Sequence, residues 1–194
     1  YERICAIYKW ICDNISYDTH YEIYDADRCY DERKGVCQAY CNLFYHIAKS
    51  VDIRVEIIGG MTKDYNGYTS DEHGWIFAYT KKDHGILLDP TWGAGSVDGN
   101  VFTRSDDYWI WFDVSPEWMI LTHFPVDNSY QLLDVPISRS KFLSLPPVSS
   151  LWISYGMNAN DIYDMVMRGE LSLPAFYADC EGKFQFIEFP LQES

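Results

Sequence analysis

The chain has 194 residues, 47% of them apolar, which is enough for a real core in one ordinary domain with an appendage or in two small ones. Fifteen Lys and Arg against twenty-nine Asp and Glu give a net charge of −14, a field that repels phosphate backbones and anionic head groups and argues against nucleic acid as a partner. No uninterrupted apolar run nears the ~18 residues that a membrane span needs, which argues against membrane insertion.

From Glu2 to Ile15, the apolar residues Ile4, Ile7, Tyr8, Ile11 and Ile15 recur at helical spacing and predict an amphipathic helix. Ser16 to Lys34 is polar, acidic and Tyr-rich without a sustained period, and reads as a long loop. A second helix is expected from about Val36, directly after Gly35, with Ala39, Tyr40, Leu43, Phe44, Ile47 and Ala48 on one stripe and an end at Lys49-Ser50. Short β-like runs follow at Ile53–Ile58, Trp75–Tyr79 and Ile86–Leu88, and strand-like pieces continue through Tyr108–Phe112 to about Leu133. Helices first and strands after indicate an α+β fold with an antiparallel sheet. Pro136, Pro146 and Pro147 then break the chain, and Leu171–Leu191 alternates like a hairpin around Glu181-Gly182. The expected division is therefore 1–135 as the main domain and 136–194 as a C-terminal extension, part of a small β module.

Gly35-Val36-Cys37-Gln38 sets a thiol at the first turn of a helix, where free N–H groups and the helix dipole favour a thiolate. The same N–H groups point at any oxyanion that forms when the thiolate adds to a carbonyl. His73 precedes Gly74-Trp75-Ile76-Phe77 and sits at a strand mouth. Asp89 follows Ile86-Leu87-Leu88 at a strand end, where it can meet a histidine of the neighbouring strand. Taken singly, Cys37 is a small packed hydrophobe, His73 a surface side chain and Asp89 the opening of an Asp-Pro turn. Together they make a nucleophile, a base and an orienting group.

In order and spacing, Gly35-Val36-Cys37-Gln38-Ala39-Tyr40, His73-Gly74-Trp75 and Asp89-Pro90-Thr91-Trp92 resemble the transglutaminase-like superfamily. Phe112, Pro116-Glu117, Thr122-His123-Phe124-Pro125 and Gln131-Leu132-Leu133 resemble the branch that holds the kyphoscoliosis peptidase and related cytokinesis proteins. The resemblance covers about Trp10 to Leu133; Ser144-Leu145-Pro146 and Tyr155-Gly156-Met157 share only faint features of that branch's trailing β region. Gly74 stands where relatives often have Ala. The resemblance implies a papain-like core, with the Cys helix packed on an antiparallel sheet that presents the His and the Asp, and a small β-rich extension behind it. It also implies acyl transfer from protein or peptide amides through a thioester, with water or an amine as acceptor, a Cys37–His73–Asp89 triad, and no cofactor. Tyr17, Gln38, Trp75 and Trp92 are candidates for oxyanion or groove support. The alternative reading is an adhesion or scaffold module that keeps the fold without turnover.

Cys37, Cys41 and His46, with Cys29 upstream, make a poor zinc site, because His46 lies about 140° around the helix from Cys41. The acidic stretches Asp25–Asp31 and Asp106-Asp107 lack the ligand spacing of a calcium loop, so no metal is expected. His20, His84 and His123 read as ordinary loop or turn residues, and Trp109, Trp111, Phe112, Trp118 and Phe124 as core. Six cysteines are too few for a disulfide scaffold, and Cys37 is expected to stay unpaired. A start at Tyr1 points to a processed or trimmed N-terminus and hides any targeting signal. The compartment and the oligomeric state stay open, with an extracytoplasmic or cell-surface site favoured.

Overall fold

The computed structural model describes residues 1–82 and 84–170. The first helix, α1 (Glu2–Asn14), buries Ile4, Ile7, Tyr8, Ile11 and Cys12, and ends where Ile15 turns extended. Residues 16–34, expected as a loop, carry three short elements: β1 (Ser16–Tyr17), α2 (Ala26–Glu32) and β2 (Lys34–Gly35). Asp25 caps α2 by accepting the Arg28 N–H at 2.9 Å, and β1 and β2 pair in parallel with Tyr17 opposite Gly35. Elements of two and seven residues are too brief to show a period, which is why composition alone reads this stretch as a loop.

The second long helix, α3 (Cys37–Ser50), buries Ala39, Tyr40, Cys41, Leu43, Phe44 and Ala48. Next come β3 (Val55–Lys63), β4 (Thr69–Lys81) and β5 (His84–Leu88), then the short helix α4 (Pro90–Ala94) and a hairpin of β6 (Gly95–Asp98) and β7 (Val101–Arg104). Residues 108–133 are not a run of strands. A 3-10 turn (Tyr108–Trp111) leads into β8 (Phe112–Val114), then α5 (Pro116–Thr122) and β9 (His123–Pro125). From Trp118 to Thr122 every residue of α5 is buried, so the helix has no polar face to reveal its 3.6 period. It is marked instead by its cap, the Ser115 hydroxyl accepting the Trp118 N–H at 3.3 Å, with Pro116 in the first helical position.

The five main strands form one antiparallel sheet in the order β8-β5-β4-β3-β9. One face packs Ile76, Ala78, Ile86 and Leu88 against Tyr8, Ile11, Tyr40, Leu43 and Phe44 of α1 and α3. The other packs Ile58, Trp75, Phe77 and Leu87 beneath Trp118 and Leu121 of α5. This is an α+β fold with the Cys-bearing helix on an antiparallel sheet. The expected core aromatics Trp111, Phe112, Trp118 and Phe124 are buried, whereas Trp109 is exposed.

The described part of the C-terminal extension is helical where a β-rich module was expected: α6 (Arg139–Ser144), α7 (Leu151–Ser154) and α8 (Ala159–Arg168). Phe142, Leu145, Val148, Trp152, Ile162 and Val166 share one apolar cluster with Trp75 and Trp118, so these helices pack on the sheet. The buried Lys63 ammonium fastens them, donating to the Phe142 and Leu145 carbonyls at 2.8 and 2.7 Å. The hairpin expected at Leu171–Leu191 lies outside the described residues.

Gly35 is demanded by close approach. A Cβ there would lie 2.6 Å from the Ala39 Cβ and 3.1 Å from the Cys29 Sγ, whereas one at Gly74 would meet the Cys41 Sγ at 3.4 Å. Gly35→Ala should therefore lower unfolding free energy by about 1–3 kcal/mol in urea titration, and Gly74→Ala by less than about 1 kcal/mol. Equal losses at the two positions would contradict this packing.

Candidate active site

Cys37 stands at the N-terminus of α3, where two backbone bonds anchor the chain ahead of it. The Asp18 N–H donates to the Gly35 carbonyl at 2.9 Å, and the Val36 N–H to the Ile23 carbonyl at 3.0 Å. The buried Asp18 carboxylate, unremarked in the sequence, organises that side. It accepts the N–H groups of His20, Glu22 and Ile23 and pairs with the Lys34 ammonium at 3.0 Å. Burial works against its charge, but these donors outweigh it and hold the carboxyl down to about 2.

Two paired strands supply the rest, and His73, expected at a strand mouth, stands within β4 instead. His73 lies on β4 opposite Gly60, and Asp89 directly follows β5 and caps α4. Antiparallel pairing of β4 with β5, Ile76 opposite Leu88, brings the two side chains together, with His73 Nε2 2.6 Å from Asp89 Oδ2. Asp89 is fully buried, and its Oδ1 accepts the N–H groups of Thr91 at 2.7 Å and Trp92 at 3.0 Å. With Nε2 committed to Asp89, Nδ1 is the His73 nitrogen left for the hydrogen bond to the Cys37 sulfur. Cys37 is half-buried, and its Sγ also lies 3.9 Å from the Glu72 carbonyl oxygen.

Charge follows geometry. Burial alone would raise the Cys37 pKa, but the hydrogen bond and charge of His73, with a further hydrogen bond from the Gly74 amide, outweigh it and leave the thiol below its ordinary value. For His73, burial pulls the other way from Asp89 and Cys37; the two anions prevail and lift the imidazole to about 10. Burial also opposes the charge of Asp89, yet the two histidines hold it well below the usual carboxylate range. These shifts favour a protonated His73 paired with the Asp89 carboxylate and move Cys37 toward the thiolate. Because the folded-state value of His73 is raised, the stability this pair contributes is complete below about pH 6.5 and is lost as pH rises through about 10.

A fourth group completes the cluster, one that the sequence does not single out. His123, which reads there as an ordinary loop residue, is buried at the start of β9 with its Nε2 3.0 Å from the same Asp89 Oδ2. Its surroundings offer one signal: it opens a strand directly after a helix, within Thr122-His123-Phe124-Pro125. His73, Asp89 and His123 are also a donor set of metal type, with one ligand atom from each within 4.8 Å, but here hydrogen bonds join those atoms.

The four supporting candidates divide. Trp75 and Trp92 flank the imidazole, their rings 6.2 and 5.9 Å from that of His73. Tyr17 sits half-buried beside Gly35, its phenol kept neutral first by burial and then by the charge of Cys37. Gln38 is exposed and turns along the helix to donate to the Asn42 side chain at 3.0 Å, away from the cluster. The zinc combination of Cys29, Cys37, Cys41 and His46 does not assemble: His46 is exposed, while Cys29 and Cys41 are buried. All five described cysteines are unpaired, and Cys180 lies outside the described residues.

A half-buried thiol at a helix start, joined through an imidazole to a buried carboxylate, is the arrangement of a cysteine-peptidase-like fold. The model of the transglutaminase-like superfamily matches residues 1–90, and the chain is similar to that superfamily and to the kyphoscoliosis peptidase among its curated relatives. The mouse kyphoscoliosis peptidase (Mus musculus) is 28% identical over 158 residues, 73% of this chain and 23% of its own. The human protein (Homo sapiens) is 27% identical with the same coverage. The Lim and transglutaminase domain protein ltd-1 of Caenorhabditis elegans is 25% identical over 80% of this chain and 24% of its own. The chain thus spans about a quarter of the length of the curated relatives it matches.

Cys37 should alkylate with iodoacetamide at pH ~6, where a free thiol of pKa ~8.5 is almost wholly protonated. Cys12 and Cys29, pushed up to about 12 chiefly by burial, should lag far behind. His73→Ala should slow the Cys37 reaction at pH ~6 by ~10-fold or more, read by residue-resolved mass spectrometry. Labelling of Cys37 at the pace of its buried neighbours would contradict the ion pair.

Proposed function

We propose that this domain is a thiol-dependent amide hydrolase or acyl transferase acting on protein or peptide substrates through Cys37, His73 and Asp89. One observation carries the reading: His73 bonds the buried Asp89 carboxylate through Nε2 at 2.6 Å and lowers the Cys37 thiol by its hydrogen bond and charge. In this reading the thiolate attacks the amide carbonyl carbon, and its electron pair displaces the carbonyl π pair onto oxygen. The oxyanion faces the N–H groups of the first turn of α3, which have no partner within the helix. As the tetrahedral adduct collapses, His73 Nδ1 gives its proton to the leaving nitrogen, the C–N bond breaks, and a thioester remains on Cys37. Nδ1 then takes a proton from the acceptor, water or an amine, whose oxygen or nitrogen bonds to the acyl carbon as the thiolate leaves.

Trp75 and Trp92 keep water from the His73–Asp89 bond, which a dry site strengthens. Asp89 acts by orienting the imidazole and offsetting its charge, so its removal should affect turnover far more than it affects thiol reactivity.

The test is an amide-bearing peptide library incubated with the domain, with and without added amines, and read by mass spectrometry for cleaved, deamidated or amine-linked product and for a thioester on Cys37. Turnover should vanish in Cys37→Ala and fall by roughly 10²–10⁴-fold in Asp89→Asn. Absence of any product or thioester, with Cys37 still reactive to iodoacetamide, would favour the scaffold alternative.

A further inference from the structure

His123 lies outside residues 1–90, which the superfamily model matches. We propose that His123 is a positioning residue for Cys37 and His73: a neutral imidazole of fixed tautomer whose Nε2–H, donated to Asp89 Oδ2, holds the carboxylate in the plane that aims the His73 ring. Its consequence for turnover rests on the function proposed above; its consequence for the thiol does not.

The lone pairs of Asp89 set the requirement. A carboxylate has about four acceptor positions, and here all are filled. Oδ1 is fixed by the Thr91 and Trp92 amides, which are backbone and cannot adjust, and Oδ2 by the two imidazoles at 2.6 and 3.0 Å. Without His123, only His73 would restrain Oδ2. The group that needs orienting would then be the one doing the orienting. Two donors on one oxygen from different strands, β4 and β9, remove that circularity.

The protons on His123 are also determined. Its Nδ1 lies 2.7 Å from the Thr122 hydroxyl, and its Nε2 faces Asp89. The titratable groups against it are Asp89 and His73, whose ring centroid is 5.6 Å away. Burial, aided by the charge of His73 and opposed by Asp89, brings it down to about 4. A neutral ring that donates at Nε2 must accept at Nδ1, so the Thr122 hydroxyl donates to it. His123 therefore holds Asp89 without taking a proton from the relay.

Nor can solvent stand in for it. The rings of Trp75, Trp92 and Trp111 enclose His123 with centroids 5.1, 4.6 and 5.3 Å away, and the residue is 1% exposed. A small replacement such as Ala would open a polar hole that water could occupy and thereby mimic the missing donor. The informative pair is therefore His123→Leu, which fills the space without a donor, and His123→Gln, whose amide can restore one near the Nε2 position.

The experiment measures the second-order rate of Cys37 alkylation by iodoacetamide at pH 6 and pH 9, with thermal melting as the check on folding. The ratio of the rate at pH 6 to that at pH 9 reports how strongly His73 stabilises the thiolate, and comparison of the Leu and Gln variants separates loss of the donor from general loosening of the site. In His123→Leu the ratio should fall by ~10-fold or more, within the range over which outer-shell partners of a functional histidine act, and in His123→Gln it should stay within ~3-fold of wild type. An unchanged ratio in folded His123→Leu, or an equal fall in His123→Gln, overturns the proposal. If His123→Leu does not fold, Thr122→Val decides, because it removes the hydroxyl that fixes the tautomer. A fall of about 3-fold supports the role and no change refutes it. Alkylation needs no amide substrate, so a wild-type protein without turnover would refute the proposed function and leave the test of His123 intact.

Discussion

The structure turns on one buried carboxylate. Asp89 is fully enclosed, and an isolated charge in that position would cost several kcal/mol after relaxation. It is tolerated because four donors converge on it: two amides of the helix it caps and two imidazoles, one from β4 and one from β9. The four donors constrain three elements. The cap fixes the start of α4, His73 ties in β4 and His123 ties in β9, so the carboxylate's hydrogen bonds also set the relative placement of three parts of the fold.

That anchoring reaches Cys37 through the charge on His73. A thiol that is half out of water is harder to ionise, and at Cys37 burial is the largest single influence on the thiol. The hydrogen bond and charge of His73 outweigh it, and Asp89 is the chief group that keeps that imidazole charged. The neighbouring tryptophans serve the same end, because Trp75, Trp92 and Trp111 keep water away from the shared oxygen. Core packing and site electrostatics are here one arrangement.

Much of this is legible in the residues, for identifiable reasons. The apolar spacing of Ile4, Ile7 and Ile11, and of Tyr40, Leu43 and Phe44, is sustained over helices of thirteen and fourteen residues, long enough for a period to declare itself. Cys37 and Asp89 stand out because each is read at an element end, where side chains escape the alternation of the core, whereas His73 stands within β4 and is legible through its sequence context with Gly74 and Trp75. What stays hidden shares a cause as well. The short helices α2 and α5 and the three-residue strand β9 are set by caps and tertiary packing, which a periodicity argument does not see. His123 escapes notice because nothing within β9 reports that Asp89, thirty-four residues earlier in the chain, lies opposite it. Gln38 is a natural candidate because it follows Cys37, but a helix turns consecutive side chains about 100° apart, and this one points to Asn42.

The central claim is that Cys37 and His73 exist as an ion pair sustained by Asp89. The most direct measurement is ¹⁵N NMR of the histidine rings between pH 5 and 8. His73 should keep protons on both nitrogens throughout, while His123 should stay neutral with its proton on Nε2 alone. A His73 that titrates near ~6.5 like a free imidazole, beside a Cys37 that remains a thiol, would contradict the ion pair.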